Sequence, residues 1–368
     1  MAYVSIPWEQ AERFVVDAFK GYGVPEADAE VCADVLLEAD RRGIESHGLN
    51  RLKPVYLDRI KAKILNPVTE VEVVKDGPTT AVVDGHDGMG QVIGKRSMRI
   101  AIDKAKKLGM GMVAARNSSH YGIAGYYTSM ASAEGCVGIS GTNARPSIAP
   151  TFGVENMLGT NPLTFGIPTD EPFNFSLDCA TSIIQRGKVE TLARNGMPVP
   201  VGTVIGEDGS ALSDAGAILT DMVKGTAALA PLGGIGEELA GYKGFGYATV
   251  VEIMSAAFQN GKFLKQLNDP VGPDGKRQPY HLGHFFIAID VGAFLPESSF
   301  RKTAGDILRE LRASKKAPGH DRIYTAGEKE YLTRQERAST GVPVNDSVQR
   351  ELIAVRDELG LKYRFPFE

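Results

Sequence analysis

Residues 79–115 hold the feature that most limits the choice of fold. A β-branched run, Thr79–Asp84, passes through Gly85-His86-Asp87-Gly88-Met89-Gly90-Gln91-Val92-Ile93-Gly94 into a long helical stretch to Leu108, and Met110–Ala115 follows as a second apolar run. Strand, glycine turn and helix form the setting of a dinucleotide fingerprint, in which a helix amino terminus meets a pyrophosphate. The glycines at 88, 90 and 94 miss that spacing by one residue, and the second run ends in Arg116 where an acidic residue would hold a ribose. The turn is therefore read as structural, and His86 as a loop residue. Before it, Glu70–Val74 and Thr79–Asp84 flank Asp76-Gly77-Pro78 and predict a hairpin.

The first sixty residues predict helices. Trp8, Ala11, Phe14, Val15, Ala18 and Phe19 recur at helical spacing after Ser5 and Pro7, a cap and a first-turn proline. Ala29, Cys32, Val35, Leu36 and Ala39 form one face of a second helix that Gly43 stops. Ser46 would cap a third, which puts His47 and Arg51 four apart on one face. Such a pair reads either as a capping-region histidine with a surface arginine, or as a carboxylate anchor with a titratable group beside it.

Residues 116–168 carry the densest chemistry. Arg116-Asn117-Ser118-Ser119-His120-Tyr121-Gly122, Ile139-Ser140-Gly141-Thr142-Asn143-Ala144-Arg145-Pro146 and Gly159-Thr160-Asn161-Pro162 set small polar groups among apolar runs, as positioning a ligand requires. The strand predicted over Asn174–Thr181 brings Asp178, Thr181, Ser182 and Lys188 to a strand end and helix start. That is either a plain helix cap or a phosphate site. Residues 196–222 predict a turn-rich surface excursion. Gly241-Tyr242-Lys243-Gly244-Phe245-Gly246 precedes an apolar helix over Tyr247–Phe258, Gly283–Asp290 is a buried strand with a structural His284, and the tail from Ser299 is helical and charged.

Composition removes whole classes. Net charge is −4 with pI near 6.0, so nucleic acid is not the expected partner. No apolar run reaches the roughly 18 residues of a membrane span. Cys32, Cys136 and Cys179 match no zinc spacing and read as reduced core residues, and the amino terminus shows no signal peptide. The expectation is a cytoplasmic protein with no metal. A metal hydrolase on His47, His120, Asp178 and His284 lacks the close helical histidine pair such a site needs. A non-catalytic nucleotide-binding protein is the other contrasting reading.

Six segments in this order resemble the malate/L-lactate dehydrogenase family, which is distinct from the Rossmann-type enzymes of the same names. They are Arg42-Gly43-Ile44-Glu45-Ser46-His47-Gly48, the 116–122 segment, Gly159–Pro162, Asp178-Cys179-Ala180-Thr181-Ser182, Pro231-Leu232-Gly233-Gly234 and Tyr242-Lys243-Gly244-Phe245-Gly246. The resemblance implies an α+β fold in which a largely antiparallel or mixed sheet carries the cofactor, beside a helical layer from both termini. It divides the chain into 1–75 with 297–368, 76–122 with 259–296, and a nucleotide-binding part over 123–258.

It also implies an NAD- or NADP-dependent oxidoreductase of a small 2-hydroxy acid, with malate first, and a homodimer. A reductase of a cyclic imino acid or diketo acid is the alternative on the same scaffold. His120 would be the base, with His47 the alternative; Arg51 would anchor the carboxylate, and Ser46 and Tyr56 would support it. The cofactor would meet Ser140, Thr142, Asn143, Gly159, Thr160, Asn161, Asp178, Ala180 and Thr181, with Lys243, Pro318 and Gly319 near its phosphate or adenine end. Two departures stand out: His320 follows Pro318-Gly319 where an acidic residue is common, and Gly241 stands where histidine is frequent.

Overall fold

A computed structural model describes residues 3–268, 271–272 and 275–368. The chain opens with strand β1 (Val4–Ile6) and helices α1 (Trp8–Gly21), α2 (Glu26–Arg41) and α3 (Asp58–Lys61), then strands β2 (Glu72–Asp76) and β3 (Thr80–Asp84). Helix α4 (Gly90–Leu108), β4 (Met110–Ser118), α5 (Gly125–Ala133), β5 (Cys136–Thr142), β6 (Leu163–Ile167) and β7 (Phe175–Cys179) follow. Next come α6 (Arg186–Arg194), β8 (Val204–Gly206), α7 (Ala215–Lys224), β9 (Ala227–Leu229), α8 (Gly241–Ala256) and β10 (Leu282–Asp290). The chain closes with α9 (Glu297–Ala313), α10 (Glu328–Thr340), β11 (Val342–Val344) and α11 (Asp346–Leu359).

Seven strands form one sheet in the order β2-β3-β4-β10-β5-β6-β7. Only β3 and β4 pair in parallel, joined by the α4 crossover; the other neighbours are antiparallel. This is the mixed, largely antiparallel α+β sheet expected, and it differs from a doubly wound parallel one. Strand β10 lies at its centre because Leu282–Ala288 is apolar on both faces, as burial between two layers demands. On one face α4 and α5 bury Ile93, Met98, Ile102 and Tyr127 against Val113 and Phe286. The glycine turn is structural: a Cβ on Gly90 would overlap the carbonyl oxygens of Ser119 and His120, so only glycine lets α4 start this close to them.

Both chain ends build one helical layer. Strand β1 pairs with β11, Val4 opposite Val344 and Ile6 opposite Val342. Phe14, Phe19, Leu36 and Tyr56 are buried there with Val355 and Phe365.

Four local expectations are corrected. Ser5 lies in β1, and α1 has no side-chain cap, because the sheet takes that backbone first. The third helix does not start at Ser46: residues 45–51 form two short 3₁₀ turns, Leu52–Leu57 opens into a wider π-type turn around Pro54, which lacks the N–H a regular helix would use, and only Asp58–Lys61 is α-helical. Residues 196–222 hold β8 and much of α7, folded with β9 and α6 around Val189, Val204, Ile218 and Leu229. Helix α8 starts at Gly241, so Gly244 and Gly246 lie within it; side chains at Gly241 and Gly244 would collide with the backbone of residues 232–236.

Candidate active site

The turn after α2 is shaped from beneath. Asp40, buried, accepts the Leu49 N–H at 2.8 Å, and its carboxyl fills the space a Cβ on Gly48 would need. This compact turn presents Ser46, His47 and Arg51 together. Ser46 Oγ lies 2.9 Å from His47 Nδ1, and Arg51 Nε donates to the Ser46 carbonyl at 2.6 Å. Among the described residues the terminal nitrogens of Arg51 have no partner.

His120 comes from the loop after β4 and stacks on His47, with ring centroids 5.7 Å apart and planes at 22°. Its Nδ1 lies 2.7 Å from the Tyr56 hydroxyl and accepts the Gly122 N–H at 3.3 Å. A nitrogen that accepts a backbone N–H carries no proton, so Tyr56 donates to it as well and the His120 proton resides on Nε2. Burial, then the Arg51 charge, pushes His47 down to about 4. Burial, then His47 and nearby arginines, holds His120 well below its ordinary value. Both imidazoles are neutral near pH 7.

A cavity of about 260 Å³ opens on this turn, lined by Ser46, His47, Arg51, Thr160, Asp178, Ala180 and Arg186 among others. Asp178, on β7, accepts the Gly125 N–H at the start of α5 at 2.7 Å, and burial raises its carboxyl above the usual range. A second cavity of about 440 Å³ shares Thr160 and Arg186 with the first, so the two adjoin.

The structure thus brings together six of the residues singled out in the sequence, with His120 stacked on His47 and Tyr56 edge-on to His120. Tyr56 is fully buried and faces His120. Ser140, Thr142, Asn143, Gly159, Asn161 and Thr181 are buried in the interior and line neither cavity. Thr142 bonds His284, Asn143 bonds Gly283 N and Lys262 O, Asn161 bonds Ala248 O and Glu252, and Thr181 bonds Thr160 O. Lys243 and Pro318-Gly319 are exposed and line neither cavity. His284 is interior, with Nδ1 2.7 Å from Thr142 Oγ1 and Nε2 2.7 Å from Ser118 Oγ, stacked on Tyr121 at 4.3 Å.

Sequence reasoning missed Arg186, Arg145 and Lys224. Arg186 is the first residue of α6, just past the β7 strand end, where attention had gone to Lys188 instead. Arg145 and Lys224 carry no local signal, since only the tertiary fold sets them on one cleft.

The malate/L-lactate dehydrogenase family matches residues 6–353. Malate dehydrogenase of Pyrococcus horikoshii is 41% identical, over 98% of this chain and 97% of its own length. L-sulfolactate dehydrogenase of Methanocaldococcus jannaschii is 36% identical over 96% of each. Among solved structures, malate dehydrogenase from Entamoeba histolytica superposes with a TM-score of 0.95 at 42% identity, over 99% of this chain and 100% of that one. With a match over nearly the whole chain and the same fold in solved relatives, this protein belongs to the malate/L-lactate dehydrogenase family.

Proposed function

We propose that the chain is a nicotinamide-dependent malate dehydrogenase in which His47 exchanges the proton of the substrate 2-hydroxyl. One observation carries this reading: a neutral histidine and two guanidiniums, Arg51 and Arg186, share one small cavity. Malate has two carboxylates, and each planar guanidinium fork can take one of them bidentately. The names of the relatives from Pyrococcus horikoshii and Entamoeba histolytica support malate. His47 is favoured over His120 as the proton-transfer group because it lines the cavity, which His120 does not. His120 then backs His47 and fixes its ring.

The joined cavities fit an elongated anionic cofactor. Ser147 Oγ, on the wall of the larger one, is buried without a partner, and basic side chains line its length. Thr160, Asp178 and Ala180 would hold the cofactor's reactive end, and Ser140, Thr142, Asn143, Gly159, Asn161 and Thr181 would keep that wall rigid. When bound, NAD or NADP supplies the acceptor and donor of hydride. The protein's part is to clamp the acid, hold its C2 in line and move one proton at His47.

A homodimer is part of this reading, supported by the exposed Tyr247, Val250 and Ile253 on α8. A cytoplasmic setting is supported by three unpaired cysteines.

The test is cofactor reduction followed by absorbance with malate, lactate and sulfolactate, in wild type, His47→Ala, His120→Ala and Arg186→Gln. We expect His47→Ala to lose about a hundredfold or more in kcat/KM. Arg186→Gln should cost malate about tenfold or more while sparing lactate. Full turnover in His47→Ala with none in His120→Ala would return the base to His120.

A further inference from the structure

We infer that Glu252, on α8, is a positioning residue for the cofactor: through Asn161 its carboxylate sets the loop that carries Thr160. The inference rests on the reading that Thr160 lies against the cofactor's reactive end. Thr160 lines both cavities. Asn161, the next residue, is fully buried and has a left-handed backbone, with φ at +33°. Asparagine tolerates that backbone better than most side chains do, yet it persists only where the surroundings fix it. Asn161 Nδ2 donates to Glu252 Oε2 at 2.7 Å and to the Ala248 carbonyl at 3.1 Å. The second oxygen, Glu252 Oε1, accepts the Leu264 N–H at 2.8 Å. Leu264 is left-handed as well, with φ at +47°. One carboxylate therefore ties down two strained backbone segments. Thr181 closes the loop from the other side, its N–H donating to Thr160 O at 2.9 Å and its hydroxyl reaching Thr160 O and Asn161 O at 3.1 Å each.

The carboxylate sits where a hydrocarbon side chain would pack better. Glu252 is buried beside an apolar cavity of about 450 Å³ walled in part by Leu158, Phe245, Ile253 and Phe263. Burial raises its carboxyl above the ordinary glutamate range, and the Leu264 N–H and the Asn161 and Asn143 amides bring it back only in part. Burying such a group costs free energy that packing does not return. Its use lies in what it holds, which is Asn161 and, through it, Thr160. Glutamine has nearly the same shape but one acceptor oxygen, so it cannot serve both the Leu264 N–H and the Asn161 amide.

Calorimetric titration of NAD and NADP into the full chain tests this without turnover. The proteins are wild type, Glu252→Gln, Asn161→Gly and the double variant, with melting temperatures confirming that each folds. Glycine accepts the left-handed backbone, so Asn161→Gly removes the side-chain hold while relieving strain. We expect each single substitution to weaken the dinucleotide that wild type binds more tightly by about tenfold, the size of one charge-assisted hydrogen bond. The double variant should bind no more weakly than Asn161→Gly alone, because Glu252 acts through Asn161. Losses that multiply to about a hundredfold in the double variant would overturn the inference. So would unchanged affinity in either single variant. If Glu252→Gln does not fold, Asn161→Gly decides alone: a tenfold loss upholds the inference and unchanged affinity overturns it. A wild type that binds neither dinucleotide would overturn the inference together with the dehydrogenase reading, whereas binding that both substitutions leave untouched would leave that reading standing.

Discussion

Tyr56 gives the clearest case of a residue acting through another. Its hydroxyl donates to Nδ1 of His120, whose ring is stacked on His47. Tyr56→Phe keeps the buried ring and removes only that donor. We expect kcat to fall about tenfold with KM and melting temperature little changed, since one hydrogen bond is worth about 1 kcal/mol. A raised KM at constant kcat would instead make Tyr56 a substrate contact. His47 gives a pH signature. Its folded value of about 4 lies below the ordinary 6.5, so between those values the unfolded chain binds more protons than the folded one. Its contribution to stability is present above about pH 6.5 and is lost as pH falls toward about 4. Melting temperatures across that window should drop further in wild type than in His47→Gln. An equal drop in both would place the acid sensitivity elsewhere.

At the scale of elements, the joining pieces decide the site. The pairing of His47 with Arg51 was legible as a four-residue spacing, yet no helix joins them. Gly48 and Pro54 break the helical pattern, and Asp40 holds the resulting turn from below. A short-range pattern records that two residues are near, while the backbone path between them depends on a carboxylate packed from another element. The glycines of residues 85–94 were likewise legible as structural, but the partner of Gly90, the carbonyls of Ser119 and His120, lies about thirty residues on. Gly90→Ala forces α4 away from those carbonyls. We expect it to cost about 1–3 kcal/mol, read from the denaturation midpoint, and to lower kcat more than the stability loss explains. Unchanged stability would show that α4 can shift freely.

For the molecule as a whole, the sheet and the terminal helices contribute different halves of the cleft. Ser46, His47 and Arg51 hang on the helical layer, while Thr160, Asp178 and Ala180 belong to the sheet and its loops. The apolar periodicities made both layers legible, because each buries one continuous face. The strand order and the meeting of Arg145, Arg186 and Lys224 were not, because they depend on contacts far apart in the chain. A chain ending at Gly341 would lose β11 and α11, the partners of β1 and α1. We expect it to keep the sheet's circular dichroism, to be cut readily by protease within its first sixty residues, and to lack activity; full activity would refute the division. The pairing of β1 with β11 also sets an order of events at the ribosome. The segment bearing His47 is made early, yet it gains its last neighbour only when the far end of the chain emerges. On that expectation a chain broken short resembles a folded protein without becoming an enzyme.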